Sequence, residues 1–340
     1  MLAIYVHHLD PIALPVYGGV ALRWYGLAYL LGFVTGFLLL RHLAKRGLWV
    51  LKPEKIGDFI AAVALLGVFT GGRLGYIFFY HIPKVGWGDF LQDPLVTFRV
   101  WEGGMASHGG ILGLAVFTWF YARKEKISWA RLADGLCVVG PLGLLFGRMA
   151  NFINGELYGR VAEGIRWAVK FPLTLVDGNV PESRSFDLAA TAAVQAEPKL
   201  GEFYQALDTV TNADFPAAKS ACFEALLAAN RHSPAVNQAL EPYLLPRHPS
   251  QLYEGLLEGL LLFAILYFVR VKFKNAPAGL ITGLFFALYA VFRIFGEQFR
   301  EPDAAMVGIF TKGQFFSFFM FAFAAAFFIH AWRDWKRLTS

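Results

Sequence analysis

The chain has 340 residues, of which 56% are hydrophobic and only 16% charged, and its mean hydropathy is +0.47. An ordinary soluble domain carries about 25% charged residues, so the composition excludes one and points to a polytopic membrane protein. The net charge of +6 does not signal a nucleic-acid partner, because the basic residues flank apolar runs, where membrane orientation accounts for them.

The N-terminal "MLAIYVHHLD" lacks the basic region of a signal peptide, and no cleavage is expected. Spanning the hydrocarbon takes about 20 apolar residues. Seven segments qualify, at 17–40, 58–80, 105–122, 132–153, 251–270, 278–297 and 312–331, although Arg73 and Arg293 interrupt the second and sixth. Between the fourth and fifth lies a long polar insertion, about 155–250. Its first part, "GRVAEGIRWAVKFP", reads as short strands or loop, and its Ala-rich second part has apolar residues at helical spacing. Cys137 lies in an apolar run and Cys222 in a polar one, so no disulfide is expected. The expected fold is all-α: four spans in 1–154, a periplasmic head in 155–250, and three spans in 251–340.

Loop charges set the orientation. Arg41, Lys45, Arg46, Lys52 and Lys55 form one basic cluster, and Arg123, Lys124, Lys126 and Arg131 a second. Arg270, Lys272 and Lys274 form a third, and Arg333, Lys336 and Arg337 a fourth. With seven spans all four fall on one side, opposite Lys84, Arg99, Arg300 and Lys312. The positive-inside rule makes that side cytoplasmic, with the N-terminus outside and the C-terminus inside.

Chemistry-bearing residues gather at the outer side. In "GRMANFINGELYGR" (147–160), Arg148 and Asn151 share a helix face, followed by Asn154 and Glu156. Tyr289, Arg293, Glu297 and Arg300 form one stripe on the sixth span. An ionisable residue at membrane depth is a functional-site hypothesis by default. Arg23, at the start of its span, can snorkel to the interface; Arg73 and Arg293 cannot be dismissed so easily. The bland reading makes Arg293–Glu297 and Arg148–Glu156 structural ion pairs. Against it, Arg148, Arg293, Arg300 and Arg73 outnumber Glu156, Glu297 and Glu102, and the forked guanidinium suits a phosphate. In a bilayer, that phosphate is a lipid headgroup.

Two further stretches stand out. In "WEGGMASHGGILG" (101–113), His108 sits among Gly103, Gly104, Gly109 and Gly110, which permit close backbone approach and favour an anion at a helix start. A lone histidine there is more often structural, but it is also suited to taking a proton near neutral pH. In "RHPSQLYEG" (247–255), Pro249 and Ser250 read as a helix cap, with Gln251 and Glu254 in the first turn and nothing more. A transporter would place charges at the midplane and show internal repeats; neither is evident. No intramembrane-protease motif and no metal-ligand spacing is present. A lipid-headgroup enzyme fits best, and a non-catalytic phospholipid or anionic-substrate transporter is the alternative.

At these residues the sequence resembles a known family. "WYGLAYLLGF", "GGRLGYIFFY", "VWEGGMASHGGILG", "GRMANFINGELYGR", "RHPSQLYE" and "FRIFGEQFREPD" are similar, in order, to signatures of the prolipoprotein diacylglyceryl transferases. Met149 and Ala150 are mild departures, and the insertion of about 172–245 is longer than the family's usual head. The resemblance implies transfer of the diacylglyceryl group of phosphatidylglycerol to the thiol of a prolipoprotein's lipobox cysteine in the bacterial inner membrane, with release of glycerol phosphate. The partners are then phosphatidylglycerol, signal peptides bearing a lipobox cysteine and membrane lipids, and no cofactor or metal is expected. His108 would be the base, although an arginine-assisted deprotonation with His108 only shaping the site stays open. Arg148 and Arg293 would stabilise charge on the leaving phosphate. Tyr25, Asn151, Asn154 and Glu156 would hold headgroup hydroxyls or orient the arginines, Glu297 would fix Arg293, and Gly159 would permit a tight approach. Arg73, Tyr289 and Arg300 complete the expected substrate-binding set.

Overall fold

The structure is a computed structural model and describes residues 4–15, 21–100, 103–209, 215–302, 306 and 308–339. Glu102, weighed above as an arginine partner, lies outside the described residues, as do positions 17–20 of the first expected span. The chain divides into two compact units, one of residues 1–29, 144–260 and 290–319, the other of 30–143, 261–289 and 320–340.

Helices dominate. Among the described residues, five are long and apolar enough to cross a membrane: Trp24–Lys45, Pro53–Val85, Trp129–Asn154, Ser250–Lys272 and Lys312–Arg337. Two expected spans fall short of that standard. Leu280–Gly296 is apolar but has only 17 residues. Ser107–Glu125 opens on Ser-His-Gly-Gly and closes on Arg-Lys-Glu, and these polar ends lower its hydropathy. The first helix also begins later than expected, at Trp24, because Ile12–Pro15 pairs antiparallel with Ala21–Arg23. Arg23 therefore ends a strand, opposite Ile12.

In the second unit, main chain packs on main chain. The Pro53–Val85 helix carries Gly67, Gly71 and Gly75 at four-residue intervals, and the Ser107–Glu125 helix carries Gly109 and Gly113. A Cβ on Gly71 would lie 2.6 Å from the Gly109 carbonyl oxygen and 2.7 Å from the Gly113 Cα. Small residues one turn apart let two membrane helices approach this closely. The close backbone approach expected at Gly109 is made by a neighbouring helix. Elsewhere in this unit, the buried Asp134 caps the Leu280–Gly296 helix, accepting from the Gly279 N–H at 2.8 Å, the Thr282 N–H at 2.9 Å and the Thr282 hydroxyl at 2.8 Å. It satisfies donors that a helix start leaves without partners.

The first unit holds the insertion. Tyr5–Val6 pairs in parallel with Val169–Lys170. The Ala-rich stretch folds as Phe186–Ala196, Gly201–Thr209, Phe215–His232 and Pro234–Leu240. Phe186, Ala189, Ala190 and Ala193 recur at helical spacing and are all buried. Phe186, Ala189 and Ala193 share one core with Phe223, Leu226, Val236 and Leu240. Both cysteines are free thiols.

Candidate active site

The first unit builds a buried charge cluster around Glu254. This residue lies in the first turns of the Ser250–Lys272 helix and is fully buried. Its carboxylate takes Arg148 at 2.9 Å, Arg293 at 2.9 Å and Arg300 at 3.3 Å. One turn on, Glu258, also fully buried, takes Arg148 at 3.3 Å and Arg293 at 3.5 Å. Arg293 also pairs with Glu297, four residues along its own chain. Gly313 makes room for that pair: a Cβ there would collide with the Glu297 carboxylate and lie 3.1 Å from the Arg293 Nη2. The sequence argument for surplus cation is thereby corrected. Arg148, Arg293 and Arg300 face Glu254, Glu258 and Glu297, three charges against three.

Glu156 belongs to a second constellation. Tyr25 donates its hydroxyl to the Glu156 carboxylate, and the Asn151 amide donates to the Tyr25 oxygen and, at 3.0 Å, to Glu156. Burial raises the Glu156 carboxyl above the usual carboxylate range. The Arg148–Glu156 ion pair considered from sequence is replaced, since the pairs of Arg148 are with Glu254 and Glu258. The loop after the Trp129–Asn154 helix is held in an uncommon conformation, with φ of +71° at Gly155 and +56° at Leu157. Gln251 donates to the Glu156 carbonyl at 2.6 Å and Ser250 to the Leu157 carbonyl at 3.0 Å. Ser250 is therefore the first helical residue and not a cap, because its hydroxyl is given to this loop.

Asn154 stands apart from that triad. It lines a small cavity with His7, Asn230 and Arg231, and its Oδ1 and the His7 Nε2 are both buried without a hydrogen-bond partner. Burial pushes the His7 imidazole down to about 4, so it is neutral at physiological pH. Gly159 is pressed by main chain from two other segments: a Cβ there would sit 2.5 Å from the Phe299 carbonyl and against the His248 carbonyl. The close approach expected at Gly159 is thus one of protein backbone.

Below this lies a buried junction centred on Arg247. Its guanidinium pairs with Glu182 at 2.7 and 2.8 Å, takes Glu301 at 2.8 Å, donates to the Gly159 carbonyl at 3.0 Å and lies over the Tyr158 ring. Because Glu301 follows Arg300 directly, the junction is continuous with the Glu254 cluster.

The remaining expected residues lie in the second unit. His108 is the second residue of the Ser107–Glu125 helix and is exposed. Tyr289 stacks on Phe285, with ring centroids 5.8 Å apart. Arg73 is 5% exposed, and main chain takes all five of its N–H groups. Thr97, Gly104 and Arg99 accept at 3.0 Å, and Val96 and Gly103 accept as well. Gly103 and Gly104 reach positive φ to turn their carbonyls onto Arg73, so their role is to cage this arginine.

Sequence reasoning missed Glu258, Arg247 and Glu182, and reduced Glu254 to a helix start. A lone glutamate in the apolar "LLEGLLLF" was a usable signal for Glu258. The pairing of Arg247 with Glu182 carries none.

Apolar helices long enough to cross a membrane, with mutually paired arginines and glutamates buried among them, define a membrane protein with an internal charge cluster. A sequence model of the prolipoprotein diacylglyceryl transferases matches residues 11–330. The chain is similar to the phosphatidylglycerol–prolipoprotein diacylglyceryl transferase of Bdellovibrio bacteriovorus, with 39% identity covering 93% of this chain and 91% of the relative. It is similar to those of Serratia proteamaculans, at 38% identity covering 91% and 88%, and Erwinia tasmaniensis, at 38% identity covering 95% and 92%. The chain belongs to the prolipoprotein diacylglyceryl transferase family.

Proposed function

We propose that this chain transfers the diacylglyceryl group of phosphatidylglycerol to the thiol of a prolipoprotein's lipobox cysteine, with Arg148 and Arg293 receiving the lipid phosphate. The observation that carries this reading is that the two arginines, from separate helices, are brought onto the same buried carboxylate, Glu254. The forked, planar donors of a guanidinium suit a phosphate. A free thiol has a pKa of about 8.5 and reacts as its thiolate. In this reading His108 takes the thiol proton. The sulfur then bonds to the glyceryl carbon as the bond from that carbon to the phosphate oxygen breaks. The electron pair leaves on the phosphate, and glycerol phosphate departs. Arginines fixed beforehand stabilise that growing charge without reorganising. The Tyr25–Asn151–Glu156 triad contacts headgroup hydroxyls. Glu297 and Arg300 orient the arginine pair, and Arg73 holds the carbonyls of Val96, Thr97, Arg99, Gly103 and Gly104.

We further propose seven spans with 155–250 as a periplasmic head, on the strength of the one-sided basic clusters. A reporter active only in the periplasm, fused after Ser340, then stays silent, and a membrane-impermeant amine reagent modifies Lys199 from the periplasmic side. Labelling of Lys199 from the cytoplasmic side alone reverses the topology. The activity is tested with detergent-purified protein, phosphatidylglycerol and a lipobox peptide. The expected product is a thioether-linked diacylglyceryl peptide, detected by mass; phospholipid binding without that product overturns the enzymatic reading.

A further inference from the structure

Arg148, Glu254, Arg293 and Glu258 close a ring. Each arginine touches both glutamates, and the glutamates lie four residues apart on the Ser250–Lys272 helix. With Arg300 and Glu297 the cluster contains three cations and three anions, all buried or nearly so. A phosphodiester brings one more negative charge into this place. An uncompensated charge out of water is costly, and an arginine cannot give a fork of donors to a phosphate while both glutamates keep theirs. One carboxylate contact therefore has to open.

The distances select which one. Glu254 is held at 2.9 Å by both arginines and by Arg300 as well. Glu297 is tied to Arg293 along its own chain and hemmed in by Gly313. Glu258 has the longest contacts, 3.3 and 3.5 Å, and its Oε1 is buried without a hydrogen bond. Its backbone belongs to the π-helical turn Gly255–Leu261, a distortion that recurs at functional sites. That backbone is also fixed: a Cβ on Gly259 would lie 2.7 Å from the Leu145 Cβ. The side chain can let go, whereas the helix cannot slide.

We infer that Glu258 is a displaceable counter-carboxylate, a positioning residue that holds Arg148 and Arg293 in register until the phosphate of the lipid headgroup takes over its contacts. This rests on the reading of the two arginines as the phosphate site. Glu254 is the permanent partner. Glu258 keeps the arginines from collapsing onto other acceptors and competes with the headgroup for them.

The test is Glu258→Gln in the full chain, read by steady-state transfer from phosphatidylglycerol to a lipobox peptide. KM for the lipid and kcat are expected to fall together, KM by about tenfold, the size of one charge-assisted hydrogen bond. The loss of a merely structural contact would leave KM unchanged or raise it, and either result overturns the inference. Binding of short-chain phosphatidylglycerol, measured by calorimetry, separates this from the activity itself. The variant binds about tenfold tighter than the wild type if the inference holds, whether or not transfer is detected, and equal or weaker binding overturns it. Failure of the wild type to form product would instead strike at the proposed reaction. Should Glu258→Gln not fold, Glu258→Asp, which withdraws the carboxylate, is read in the same way with a smaller gain of about threefold, and the absence of any gain overturns the inference.

Discussion

Arg73 and Arg148 are both arginines in apolar helices, and the two units treat them oppositely. Arg73 is surrounded by five main-chain carbonyls and the Tyr76 ring. Arg148 is held by the side chains of two glutamates. A carbonyl cage consumes every donor of the guanidinium and is welded into the backbone, so it opens only if the loop unfolds. A carboxylate pair is made of side chains that can rotate, and its partners carry the same charge as the anion that would replace them. The difference separates a buried arginine that builds structure from one poised to exchange its partner.

The sharpest way to break this comparison is Arg148→Lys. Lysine keeps the charge but loses the planar fork. If Arg148 stabilises charge on the leaving phosphate, transfer falls by about 100- to 1000-fold, almost as far as in Arg148→Ala. Near-normal transfer by a folded lysine variant would reduce Arg148 to a structural ion pair. Arg73→Lys should behave in the reverse manner. Lysine brings three donors to five carbonyls, and stranded buried acceptors cost about 3 kcal/mol in all. Thermal unfolding should show that loss, while transfer per folded molecule drops less than about tenfold, well short of the oxyanion-type loss expected at Arg148. An Arg73→Lys enzyme that folds normally yet cannot transfer would erase the distinction.

Acid sharpens the contrast further, because the first unit buries titratable side chains. His7 is held at about 4 against an unfolded value near 6.5. Between these values the unfolded chain binds the additional proton, so its contribution to stability is whole above 6.5 and drains away as the pH falls towards 4. The loss reaches about 2 kcal/mol by pH 5. His7→Gln should flatten that part of the stability–pH profile, and an unaltered slope would remove His7 as its source. The smallest effect concerns the support of Arg293. Glu297→Gln keeps part of the hydrogen bonding and should cost about tenfold in transfer, less than Arg293→Ala, since a charged hydrogen bond is weakened but not lost. Equal losses in folded variants would assign Glu297 a direct role.

Much of the scaffold could be read from the sequence. Apolar runs located the long helices, and the Ala-rich stretch declared its helices through the spacing of Phe186, Ala189 and Ala193. The ends were harder: the first helix starts at Trp24 because a two-strand pairing claims Ala21–Arg23, and hydropathy does not register strand pairing. In the site, the pair Arg293–Glu297 was visible because helical spacing is visible, but the expected stripe stops there: the helix ends at Gly296, and Arg300 sits in a bridge to Gly159 instead of on the helix. Its partner Glu254 was not recognised, since contact between separate helices leaves no mark in one sequence. The fate of Arg73 could not be read at all: main-chain carbonyls are the same at every residue, so a cage built from them has no sequence signature.

The glycine seam has a consequence for His108. Gly109, the next residue, is seated against Gly75, where a Cβ on Gly109 would lie 2.7 Å from the Gly75 Cα. Successive residues of an α-helix are about 100° apart around its axis. A helix whose smooth side is locked against its neighbour has no freedom to spin, so its azimuth is indexed by that side. The compass bearing of the imidazole is therefore set from the rear, by glycines of the neighbouring helix, and a methyl group added at Gly71 would turn His108 without touching it.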